Sequence, residues 1–164
     1  MVVVLLLTAS LHGQDVIGDN LAPPPLRLIT QDEKNKLSAE SDVKKRTKLG
    51  LELMDVRLKQ AETHDAAENY DQMYVELGGF HGLMDNMFEY LNSSDKDSGK
   101  VLNNFKRFEI GLRGFTPRLE IIRRDLPLRY EHYVRTLIKN LRSTRAKAIE
   151  PLFDDSVVPS KKPA

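Results

Sequence analysis

Apolar positions recur every three or four residues along most of this chain, the spacing that lines one face of an α-helix. The first such run opens at Thr30-Gln31-Asp32-Glu33, a capping-box pattern in which Thr30 caps and Glu33 reaches back. No proline interrupts it before His64. Val43, Thr47, Gly50, Met54 and Ala61 share a face that Leu49, Leu53 and Val56 widen. The pattern predicts a first helix over 31–63. The second is the most regular: Ala66, Tyr70, Met73, Leu77, Phe80, Met84, Met87 and Leu91 alternate by four and three, and Asn92-Ser93-Ser94-Asp95 ends it with turn residues. Gly78-Gly79 in its middle lowers helix propensity, so the pair either admits a close neighbour or marks a kink.

A third helix is expected from Asp97 or Ser98, with Phe105, Phe108, Leu112, Phe115, Leu119, Ile122 and Leu126 on its apolar side. Thr116-Pro117 interrupts it chemically, because proline removes a backbone donor. The unbroken period favours one kinked helix over two. The fourth follows Asp125-Leu126-Pro127 and carries Tyr130, Val134, Leu137, Leu141, Thr144 and Ala148 up to Pro151. The predicted fold is therefore all-α, an antiparallel four-helix bundle with a kinked third helix. Leu49-Gly50-Leu51 with Arg57-Leu58 and Ile110-Gly111-Leu112 with Arg118-Leu119 repeat at an offset of 61 residues. Duplication of a helical hairpin competes here with chance among leucine-rich helices, and either way the alignment places a chain reversal near Asp125–Pro127.

The ends differ from this body. Val2–Leu7 is an apolar run too short to span a bilayer, where about 20 residues are needed, and it fits the core of a secretory signal peptide. No Lys or Arg precedes it, and Leu11-His12-Gly13 is a poor cleavage site. The expected organisation is a signal peptide over 1–13, a Pro-rich linker over 14–29, a bundle domain over 30–153 and a disordered tail over 154–164. Ala22-Pro23-Pro24-Pro25 favours an extended path within that linker.

Composition narrows the chemistry. The 164 residues contain Cys 0, which removes disulfides, thiolate metal sites and thiol nucleophiles. The net charge is +1, but it is unevenly spread: residues 31–95 carry 14 acids against 8 bases, and residues 96–153 carry 6 against 14. One reading is internal complementarity between an acidic second helix and a basic neighbour. The other is an anion-binding face formed by Arg118, Arg123, Arg124, Arg129, Arg135, Arg142 and Arg145, whose planar forks suit phosphate and carboxylate.

Catalytic and metal motifs are sparse. No Walker sequence, nucleophile elbow or Glu-x-x-His pair occurs, so an enzyme has no visible support and no cofactor is expected. The best metal candidates, His81, Asp85 and Glu89, lie four residues apart on one helix face, as the residues of a solvated face also do. Glu62, His64, Asp65 and Glu68 cluster where acids would favour a helix start. Asp95-Lys96-Asp97-Ser98-Gly99 begins like a calcium loop but lacks its final acid and reads as a turn plus cap.

The hexapeptide Arg57-Leu58-Lys59-Gln60-Ala61-Glu62 resembles an Arg-Leu-x-x-Ala-Glu signature of secreted bacterial helical-hairpin domains of unknown function, over roughly residues 43–92. The resemblance implies a bacterial, extracytoplasmic helical protein and carries over no functional residues. The resulting expectation is an exported bundle, periplasmic or secreted, with an interaction or structural role in the cell envelope. Its partner would be another protein or an anionic envelope component, with no transmembrane span. The alternatives are a cytoplasmic anion or nucleic-acid binder using the arginine-rich helices, and a metal-binding bundle.

Overall fold

The computed structural model describes residues 21–94 and 98–153. The expected signal peptide, linker residues 14–20, the Asp95–Asp97 turn and the tail from 154 lie outside the described residues. Five α-helices follow in order: α1 (Gln31–Ala39), α2 (Val43–Ala66), α3 (Tyr70–Ser93), α4 (Gly99–Asp125) and α5 (Leu128–Ile149), with a short 3-10 turn at Glu150–Leu152. The described residues contain no strand, and none of their helices is long and apolar enough to cross a membrane.

The capping box forms as the sequence implies. Glu33 N–H donates to the Thr30 hydroxyl at 3.2 Å, and the Glu33 carboxylate accepts from Thr30 N–H at 2.8 Å. The expected single helix over 31–63 is instead two. Glu40 turns to extended backbone, and Asp42 caps a new helix by accepting from Lys45 N–H at 2.9 Å. The second helix starts later than its apolar period suggested, because residues 67–69 form the turn. Glu68 there takes a left-handed conformation with φ 56 and closes the end of α2. Glu62, His64 and Asp65 thus lie in the last turns of α2 and are not starting acids of α3.

Two hairpins, α2/α3 and α4/α5, make the bundle, each antiparallel across its short connection. They lie with α2 beside α4 and α3 beside α5, each neighbouring pair running the same way. Leu51 meets Gly111 and Asp55 meets Arg118, while Asp71 meets Tyr130 and His81 meets Asn140. The seven-residue alternation of α3 delivers Met73, Leu77, Phe80, Met84, Met87 and Leu91 to the centre, all without solvent exposure. Phe105, Phe108, Leu112, Phe115 and Leu119 of α4 meet them there, and the Phe80 and Phe115 rings pack edge-on at 5.3 Å. Each such side chain contributes about 1.5–3 kcal/mol by leaving water. Val56, expected to widen the core face, is half exposed.

Helix α4 runs unbroken through Pro117, as the period favoured. Proline inside a helix costs about 3 kcal/mol, and the buried Thr116 hydroxyl beside it has no partner among the described residues. Phe115, Leu119 and Ile122 anchor the helix on both sides of the defect.

Residues 21–29 do more than link. They form an extended strap over α3. Ala22 N–H donates to the Arg129 carbonyl at 2.9 Å, and Arg27 pairs with Asp85 at 2.8 Å. Gly78 and Gly82, one turn apart on α3, face the carbonyl oxygens of Leu26 and Arg27. The close neighbour admitted by Gly78 is this strap, whereas Gly79 faces the Arg57 side chain.

Candidate functional site

Most of the seven expected basic-face arginines are committed within the protein. Arg118 spans Glu62 and Asp55 at 2.6 Å each, tying α4 to α2. Arg123 bridges Glu120 at 2.8 Å and Glu131 at 2.7 Å. Arg135 reaches Glu131, Arg142 reaches Glu120 and Arg145 reaches Glu109, each at 2.8 Å, and Arg124 lies 3.7 Å from Asp125. Arg129 instead covers the Tyr130 ring, 4.9 Å from its centre. Arg123, Arg135 and Arg142 do converge with Lys139 on a shallow hollow between α4 and α5, but Glu120 lines it as well.

Charge complementarity therefore operates, though not between the helices expected. The ion-paired acids of α3 turn to the strap and to α2: Asp85 meets Arg27, and Glu76 meets Arg57 at 2.7 Å. The basic α4 and α5 find their carboxylates on α2 and on each other. Arg57 is the most enclosed of these nodes, holding Glu33 at 2.8 Å as well as Glu76. Burial pushes the Glu33 carboxyl up, but bonds from Arg57 and Thr30 outweigh it and hold it below its ordinary value. Arg57 lies in the hexapeptide that resembles the secreted-hairpin signature. Leu58 and Ala61 of that segment are core residues, and Glu62 receives Arg118.

His81, Asp85 and Glu89 do not assemble a metal site. His81 is 1% exposed, Asp85 is engaged by Arg27 and Glu89 is exposed. The His81 Nε2 stands 3.9 Å from Asp85. Among the described residues no three His, Asp or Glu side chains come together in a ligand group. His81 belongs to a buried polar chain instead. Its Nδ1 is 3.2 Å from the Tyr133 hydroxyl, which donates to the Leu77 carbonyl at 3.4 Å, and its Nε2 is 3.5 Å from the Asn140 amide. A neutral ring with its proton on Nδ1 satisfies both neighbours. Burial pushes its pKa down to about 4.

Two surfaces escaped the sequence reading. One is an apolar groove of about 530 Å³ between the strap and α3, walled by Pro23, Pro24, Pro25 and Tyr74. Leu26, Leu28 and Val75 line it yet are 73%, 65% and 54% exposed. Arg129 and Asp71 border it. The other is a cleft of about 670 Å³ between the first turns of α2 and α4, lined by Lys44, Lys100, Lys106 and Arg107. The triple proline flagged the first surface, but only as a spacer. The second spans residues on both sides of the charge division, so counting by segment hides it.

No protein-family model, curated protein or solved structure matches the chain.

Proposed function

We propose that this protein is an exported helical-bundle interaction module of the bacterial cell envelope. In this reading its strap groove docks an apolar segment of a partner protein carrying a carboxylate for Arg129. The observation that carries it is the trio Leu26, Leu28 and Val75, largely exposed around a preformed groove. Contiguous exposed apolar surface with a polar rim is characteristic of protein contacts. Arg129 has no carboxylate partner among the described residues, and arginine at an apolar rim is a frequent anchor. The apolar run Val2–Leu7 supports export. The alternative of nucleic-acid binding through the basic helices loses support, because six of its seven arginines are engaged by carboxylates.

A photo-crosslinking residue at Val75, used in cells, tests the groove. The expected adduct maps to an apolar peptide containing Asp or Glu, and it disappears in Arg129→Glu. An adduct with a second copy of this chain, equal yield from the exposed position Lys139, or indifference to Arg129→Glu overturns it. Intact mass after cell fractionation tests export separately. A chain beginning near Gln14 in the envelope or medium is expected, and a full-length cytoplasmic chain goes against it.

A further inference from the structure

Lys100, Asn104, Arg107 and Ile110, spaced by three or four residues, share one side of the first turns of α4 with Asn103. With Val43 and Lys44 of α2 they wall the second cleft. Among the described residues its one carboxylate is Asp42, which caps α2 and also feels the charge of Lys100. Against it stand Lys44, Lys100, Lys106 and Arg107, none in an ion pair among the described residues.

Arg107 is the informative member. It is partly buried, and its hydrogen bond runs to the neutral side-chain carbonyl of Asn104. Asn104 is itself 3% exposed and is fixed by donating to the Lys100 carbonyl at 2.8 Å. A buried amide thus orients the guanidinium without neutralising it. Holding such a charge partly out of water costs free energy that a bound anion would offset. Arg57, Arg118 and Arg145, also partly withdrawn, each hold carboxylates, whereas Arg46 lies over the Tyr90 ring at 4.0 Å. Arg107 has neither a carboxylate nor a ring among the described residues.

We infer that this cleft binds a multiply charged phosphate group, held by the Arg107 fork and by Lys44 and Lys100 from two helices. Arginine grips two phosphate oxygens at once, and lysines act as point charges around the rest. Val43 and Ile110 offer apolar contact to whatever carries the phosphate. A soluble phosphorylated molecule and a lipid headgroup present the same chemistry. This site is separate from the strap groove and stands independently of it.

Inorganic pyrophosphate, titrated calorimetrically into the full chain at low salt, is expected to bind saturably. Arg107→Gln should weaken it roughly tenfold or more, since a charge-assisted hydrogen bond is at stake. Arg142→Gln removes the same charge from a neutralised position and should change nothing. Ile110→Glu, at an exposed position, places a negative charge at the mouth and should weaken binding without disturbing the fold. Phosphatidylcholine vesicles with and without phosphatidic acid separate the sources. Arg107-dependent cosedimentation with the phosphatidic acid vesicles identifies a lipid ligand, and pyrophosphate binding alone identifies a soluble one. Absence of saturable binding to either probe, or an equal loss in Arg142→Gln, overturns the site.

Discussion

Gly78 of α3 and the Leu26 carbonyl of the strap approach so closely that a Cβ at position 78 would lie 2.3 Å from that oxygen. A backbone atom cannot rotate away as a side chain can. Two effects then compete in Gly78→Ala. Alanine favours the helix by about 1 kcal/mol, whereas the overlap must be relieved by moving the strap. Few bonds hold it: the Ala22–Arg129 backbone hydrogen bond and the half-exposed Arg27–Asp85 pair. Strap release with the bundle intact is the cheaper outcome. Tryptic cleavage after Arg27 should accelerate about tenfold or more, matching 1.4 kcal/mol or more of easier local opening. The melting temperature should move little. A large fall in melting temperature without faster cleavage would contradict this.

The contrast between Phe80 and Gly78 explains what was legible in the sequence. Phe80 lies on a stripe of eight positions alternating by four and three, and periodic burial reads directly from periodic spelling. The same holds for Phe105 through Ile122 and for Tyr130 through Leu141. Gly78 also faces a neighbour, but that neighbour is a backbone carbonyl from a non-periodic segment, so no spelling in the strap announces it. The break at Ser41-Asp42 was missed because neither proline nor glycine marks it, although Asp42 is a competent cap. Ion-pair partners were illegible for a different reason. Arg118 chooses Glu62 and Asp55 only because α2 lies beside α4, a fact of topology and not of helix composition.

Glu68 offers an opposite use of glycine. Its φ of 56 closes the end of α2, and a side chain in that left-handed region costs about 1–2 kcal/mol. Glu68→Gly removes the strain and an acid from a helix C-terminus, against an unfolded-chain entropy cost of about 0.5–1 kcal/mol. A net gain of about 0.5–1 kcal/mol in urea denaturation is expected. Destabilisation would mean that the Glu68 side chain contributes more than its exposed position indicates.

Arg57→Met should be severe, because it strands Glu33 and Glu76 in a site where both are mostly buried. Breaking an enclosed ion pair from one side typically costs about 3–5 kcal/mol. The pH dependence carries the sign. In the native protein the Glu33 carboxyl is held below its ordinary 4.5, so its stabilisation is present above that pH and lost on acidification. Without Arg57, burial, the largest cause, raises the carboxyl pKa against the Thr30 bonds alone. The variant's deficit should therefore shrink between pH 7 and pH 5 as the stranded Glu33 carboxylate takes up a proton. An equal deficit at both pH values would show that lost packing, not charge, dominates.

His81 governs the milder acid range. Its ordinary pKa of 6.5 falls to about 4 in the fold, chiefly through burial, with Asp85 raising it and Arg27 lowering it. The unfolded chain therefore binds a proton that the folded chain refuses across this interval. Stability is full above pH 6.5 and is lost as pH falls toward 4. Linkage sets the loss at about 2 kcal/mol between pH 7 and pH 5. The Glu33 contribution fades only below its ordinary 4.5, so the two effects separate on the pH axis. His81→Gln keeps an amide within reach of Tyr133 and Asn140 but removes the titration. Urea unfolding of this variant should show little slope over that interval, whereas the wild-type chain weakens. A variant that retains the full slope would assign the titration to another group and leave His81 with a packing role alone.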